Sequence, residues 1–183
     1  MFGATGERPH SISRIAHPIT SEGLKEMVDF TQALNVKVEE IERPPLPPVG
    51  HYIFKVSKPA VFGDVGNGRF DTVDFPLQAV EAMDDVDPDQ LSAVGGPTMI
   101  NLRNRFMFNK GESEEDKANA NRTLFNLRNF LENHLGMDIE GMTLKEAIDQ
   151  AVGQQCMANV QYRPDKDNPE IVYAELGRTA PIE

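Results

Sequence analysis

The chain has one cysteine, no tryptophan and only three tyrosines in 183 residues. A single thiol, Cys156, closes no internal disulfide, so the fold rests on packing and the expected compartment is a reducing, cytoplasmic one. No apolar run approaches the roughly 20 residues that cross a bilayer, and the Met1 end lacks the basic-then-apolar pattern of a signal peptide. Basic charge is also short. Eighteen Lys and Arg stand against 29 Asp and Glu, a net charge of −11, which weighs against simple adhesion to nucleic acid or to an anionic membrane. The catalytic and metal signatures HExxH, GxSxG, paired CxxC and Walker A are all missing, so nothing supports an enzyme, a cofactor or a metal site.

The acids that are present are clustered. Glu81, Asp84, Asp85, Asp87 and Asp89 form one group, and Glu112, Glu114, Glu115 and Asp116 form another. Both read as solvated surface that keeps the protein soluble. The first group is rich in oxygen donors, but its spacing lacks the glycine that an EF-hand loop needs at its sixth position. Gly63 to Gly68 is not a phosphate-binding loop either, since no Lys-Ser/Thr follows and the next residues read as strand. Its Asn67-Gly68 pair predicts a tight hairpin with positive φ.

Taken in order, residues 1–48 read as an arm, a helix and a proline-rich linker, and residues 49–183 as the main domain. Met1 to Thr20 has no periodicity, and its Arg8, His10, Arg14 and His17 are available to a partner. Ser21 caps a helix to about Leu34 with a narrow apolar stripe. Arg43-Pro44-Pro45-Leu46-Pro47-Pro48 reads as a stiff polyproline spacer. Gly50 to Val56 is a first strand with Tyr52, Phe54 and Val56 on one face. A second, Arg69 to Met83, turns Val73, Phe75, Leu77 and Ala79 inward and leaves Phe70 exposed, with Pro76 marking a bulge or an edge. Asp84 to Pro97 reads as loop. The third strand, Met99 to Asn109, alternates Ile100, Leu102, Phe106 and Phe108 against Arg103, Arg105 and Met107.

Two helices follow. Ser113 caps the first, whose Leu124, Leu127, Leu131 and Leu135 recur at helical spacing, and Gly136 ends it in a left-handed conformation. His134 stands in its last turn, where it favours the helix dipole. Thr143 to Glu146 is a capping box for the second helix, which Gly153 closes. A fourth strand places Cys156, Ala158, Val160 and Tyr162 inward, and a fifth runs from Glu170 to Leu176 before a short tail. The pattern predicts an α+β fold, mainly β: a five-stranded OB-like barrel with a helix pair inserted between strands 3 and 4 and an N-terminal helical extension.

An OB groove lies along its second and third strands, where aromatics stack bases and Lys or Arg follow phosphates. Arg103 and Arg105 share one face of the third strand, about 7 Å apart, near the spacing of successive phosphates. Lys55, Arg69, Phe70, Lys110 and Arg163 are placed to flank that surface. The other reading of the same arginines is cross-strand pairing with Asp71, Asp74 or Glu81.

Pro47-Pro48-x-Gly50-His51-Tyr52 entering the first strand, the strand–helix–strand order, and Gly153-Gln154-Gln155-Cys156-Met157-Ala158-Asn159-Val160 leading to Tyr162 together resemble phage-encoded single-stranded-DNA-binding and replication-associated proteins of OB type. The likeness covers about Pro47 to Pro181. It implies protection of single-stranded DNA in replication or recombination, without a cofactor, by a homo-oligomer or larger assembly in the host cytoplasm. The alternative is a protein-binding or virion-structural module that assembles through the arm and the Ser21–Leu34 helix.

Overall fold

The computed structural model describes residues 35, 37 and 43–182, and the segment from Pro44 onward forms one compact unit. The N-terminal arm and the helix expected over Ser21 to Leu34 lie outside the described residues. Six strands, β1 (Gly50–Val56), β2 (Val61–Val65), β3 (Phe70–Ala82), β4 (Asn101–Asn109), β5 (Gln155–Pro164) and β6 (Val172–Ala180), make one antiparallel sheet. Helix α1 (Pro88–Ala93) follows β3, and α2 (Glu114–Asn129) and α3 (Leu144–Gln150) lie between β4 and β5. The fold is α+β with an open six-stranded sheet.

The sheet is built on β3. Its Phe70–Asp74 half pairs with β2 and its Leu77–Ala82 half with β1, while β4 pairs with Phe70–Gln78 along the other edge. β5 lies outside β1, and β6 outside β5. No ladder joins β4 to β6, so the sheet is open along that seam.

The alternation read from the sequence is the alternation of burial. Tyr52, Phe54, Val56, Val73, Phe75, Leu77, Ala79, Cys156, Ala158 and Val160 are all buried. Helix α2 closes over them. Ser113 Oγ accepts from the Asp116 N–H (3.1 Å), and three acids occupy the positive first turn. At its far end the helix widens into a π turn, Phe130–His134, where Leu135 N–H donates to Phe130 O (2.9 Å). Phe130 and Leu131 are thereby set into the core, and Phe75, Phe106 and Phe130 form a ring triad with centroids 5.2–5.9 Å apart. Leu124, expected in the same stripe, is 42% exposed. The capping box at Thr143 is present, Gly136 has the expected positive φ, and Gly153, beyond the second helix, has one too.

Several expectations are corrected. The described residues form six strands rather than five, because Lys58-Pro59 interrupts the first strand and Val61–Val65 resumes pairing on the same side of β3. The barrel is not closed. Pro76 marks neither a bulge nor an edge: its carbonyl accepts from Ser57 N–H (2.9 Å), so its missing N–H faces the break between β1 and β2, where no ladder bond is lost. The register shift falls instead at Val80, opposite Ile53/Phe54. Asp87 caps α1 inside the expected loop, with Pro88 at its first position. Phe70 is half-buried, and Asn67 (φ 58°) and Gly68 (φ 79°) form the expected hairpin.

Tyr162 is 42% exposed rather than inward, because β5 continues past Val160, the partner of the first residue of β1. β6 runs to Ala180, absorbing most of the expected tail. The proline run is docked at its end: Tyr52 OH donates to Pro48 O (2.8 Å) and Tyr162 OH to Pro47 O (3.0 Å). Burial pushes the Tyr52 phenol up to about 12, so it remains a donor throughout the ordinary pH range.

Two positions give sharp tests of this packing. Gly50 has φ 145°, and a Cβ there would stand 2.7 Å from Val86 Cγ2 and 3.3 Å from Val86 Cα. Gly50→Ala is expected to cost about 1–3 kcal/mol in urea unfolding, through backbone strain and overpacking together.

The second test is His134. Asn133 Nδ2 donates to Asn129 Oδ1 (2.7 Å), which leaves Asn129 Nδ2 to donate to His134 Nε2 (3.0 Å). His134 Nδ1 then carries the proton and donates to Thr179 Oγ1 (2.7 Å), tying the end of α2 to β6. Burial, and then the nearby Arg178 charge, hold its pKa below the usual value of 6.5. The unfolded chain therefore takes up this proton first as pH falls, and stability present above about pH 6.5 is lost below it. The urea midpoint is expected to fall more between pH 7.5 and 5.5 in the wild type than in His134→Gln.

Candidate nucleic-acid interface

The open seam between β4 and β6 is a cleft of about 1060 Å³. Asn101, Arg103, Arg105 and Met107 line it from the outer face of β4. Tyr173 and Glu175 of β6, with Arg163 of β5, line it from the opposite side. The strand period of two puts the β4 arginines on one face, and the β3–β4 register sets Asp74 opposite Arg105 and Pro76 opposite Arg103.

That register decides their pairing. Arg105 donates to both oxygens of Asp74, Nε to Oδ1 at 2.7 Å and NH2 to Oδ2 at 2.6 Å. This fork is largely shielded, and the carboxylate raises the guanidinium pKa further above its already high value. Arg103 reaches the same carboxylate only at 3.8 Å, and its side chain is 63% exposed. Across the cleft, Arg163 Nε bonds Glu175 Oε2 at 3.1 Å, and Gln161 holds the other oxygen of that carboxylate at 3.0 Å. Three guanidiniums thus meet two carboxylates, leaving one net positive charge. Neither acidic cluster contributes a residue to the lining.

The seven residues expected at the interface therefore separate. Arg103, Arg105 and Arg163 come together at the cleft. Arg69, Phe70 and Lys110 gather where β3 begins and β4 ends: Lys110 N–H donates to Arg69 O (3.0 Å), Lys110 Nζ bonds Asp71 (2.7 Å), and the Arg69 guanidinium lies 5.6 Å from the Phe70 ring centre. Lys55 lies on β1 between Gln78 and Gln155, away from both groups. Among the cleft residues not expected as contacts are Tyr173 and Met107, each 43% exposed. Met107 shares the arginines' parity, so the alternation of β4 contained the signal. Tyr173 lies opposite Arg163 in the β5–β6 register, which no local pattern reveals.

Outside the cleft, two reactive side-chain types have their surroundings defined among the described residues. Cys156 is fully buried, and burial pushes its thiol up to about 12. The Asp85 carboxylate accepts from both the ring Nδ1 (2.7 Å) and the backbone N–H of His51, bonds that hold its pKa below the usual range and fasten the β3–α1 loop to β1. Among the described residues no group of three or more His, Cys, Asp or Glu could hold a metal ion, and no helix is long and apolar enough to cross a membrane. No model of a known protein family matches the chain, and neither does any curated protein.

The unequal roles of the two β4 arginines are measurable. Arg105→Ala strips a shielded Asp74 of its bidentate partner and is expected to cost about 1–3 kcal/mol. Arg103→Ala removes a mostly exposed, long contact and is expected to change stability by less than about 0.5 kcal/mol. Urea unfolding of the two variants checks both values.

Proposed function

We propose that the protein binds single-stranded DNA without catalysis, as an OB-type protein of phage replication or recombination, and that the strand lies along the β4–β6 cleft. The connection order supports the OB reading. The interrupted β1/β2 strand, β3 and β4 form a meander, a helix pair follows, and β5 returns to β1 before β6. The observation that carries the functional reading is the convergence of Arg103, Arg105 and Arg163 on one cleft, with exposed Tyr173 and Met107 beside them and both acidic clusters outside it.

In this reading Arg103, the least committed of the three, meets a phosphate first. Arg105 and Arg163 arrive already held by Asp74 and Glu175, so a phosphate there exchanges with or extends an existing pair. Tyr173 offers a ring face to a base, a contact worth about 1–3 kcal/mol wherever it is made.

Salt dependence tests this directly. The slope of log K against log salt for an oligonucleotide of about 20 thymidines, read by fluorescence anisotropy, is expected between about −0.7, for one net cation, and about −2, for three phosphate contacts. Arg103→Ala should lower both the slope and the affinity while the protein stays folded. Absence of binding at about 50 mM salt would sink the proposal.

A further inference from the structure

A second pocket, of about 260 Å³, opens where α2, β4 and the end of β6 meet. Phe106 and Phe130 contribute apolar surface, and Asn104, Asn126, Arg178 and Thr179 contribute polar groups. Asn104 and Asn126 have no side-chain hydrogen-bond partner among the described residues, and the Arg178 guanidinium has no carboxylate partner there. Thr179 is committed on one side only. Its Oγ1 accepts from His134 Nδ1, so its own proton is free to be donated into the pocket.

The balance of these groups defines the ligand. The donors outnumber the acceptors: two amide NH2 groups, one hydroxyl and one guanidinium stand against the two amide oxygens of Asn104 and Asn126. The charge is small, because Arg178 is the only cation and the bonding of His134 fixes it as a neutral ring. A phosphate would be matched by several cations and has no use for the phenyl surface. An uncharged, flat ring that carries carbonyl acceptors fits both halves of the lining: the Arg178 guanidinium only donates, as it does to the carbonyl edge of guanine, whereas the asparagines both donate and accept.

We propose that this pocket receives one base of the bound strand and favours bases with a ring carbonyl acceptor, thymine or guanine, over adenine. The inference rests on the single-strand reading of the neighbouring cleft. The two sites share the β4–β6 seam: Asn104 lies between Arg103 and Arg105 on the opposite face of β4, and Arg178 lies two residues beyond Leu176, which lines the cleft. Because the two sites lie on opposite faces of β4, a strand in the cleft delivers a base to the pocket by turning it through the seam, where no ladder joins β4 to β6.

The test compares oligonucleotides of about 20 thymidines and about 20 deoxyadenosines on the wild type and on Arg178→Met, Asn126→Ala and Arg103→Ala. The wild type is expected to favour thymidine by about fivefold or more. Self-stacking of the adenine strand is common to all four proteins and cancels when their preferences are compared. Arg178→Met and Asn126→Ala should bring the ratio towards one, whereas Arg103→Ala should weaken both strands alike. If the wild type binds both strands and the two pocket variants leave the ratio unchanged, or lose affinity equally for both, the pocket inference is overturned and the binding function stands. If the wild type binds neither strand at about 50 mM salt, the functional reading fails and the inference fails with it.

Discussion

Thirteen residues of β3 pair with three of the other five strands, and this one ladder sets where everything else lies. Its inward side chains, Val73, Phe75, Leu77 and Ala79, are the middle of the core. Its outward carboxylate, Asp74, fixes the direction of the β4 arginines. A strand that serves two partners along one edge needs a break between them, and Pro76 sits at that break. Proline is disfavoured inside a sheet because it removes a donor. Here the donor would have faced the gap between β1 and β2, so the residue terminates the pairing of one strand and begins that of the other without leaving a bond unmade.

The parts of the fold legible in the sequence are those whose signal is local. Alternation over Gly50–Val56, Phe70–Ala82 and Asn101–Asn109, the caps at Ser113 and Thr143, and the positive-φ glycines at 136 and 153 each follow from residues within a few positions of one another. β2 was not legible because four of its five residues are exposed. Held by ladder bonds to β3 more than by burial, it carries no face that a hydrophobic pattern could display. Tyr162 shows the reverse case: its parity is correct for the inward face, but β1 has ended, and the face it points along no longer has a core above it.

The same distinction separates the cleft from the residues proposed for it. Parity alone put Arg103 and Arg105 on one face, and both phosphate binding and cross-strand pairing were consistent with that placement. Register between segments 31 residues apart gives Arg105 its cross-strand pair, and register is a property of the assembled sheet. Arg69, Phe70 and Lys110 share the outer edge of the same two strands, yet lie at its other end. One-dimensional spacing does not distinguish the two ends of a strand from its middle as places where a third strand will arrive.

Under the proposed single-strand function, an acidic protein that binds a polyanion needs its cations held where the acids are not, and a pair such as Asp74–Arg105 would meet that need in a particular way. An exposed arginine would have to be ordered at the moment of binding, at a cost in side-chain freedom. A guanidinium already fixed by a fork on one edge keeps its remaining donors aimed in a constant direction, so less order is lost when a phosphate arrives. The cost is weaker net attraction, since Asp74 and Glu175 cancel two of three charges. In the proposed reading, affinity at such a cleft then depends more on stacking and base contacts than on charge, and the greater share of recognition would fall to Tyr173 and to the polar pocket behind Asn104 rather than to the arginines.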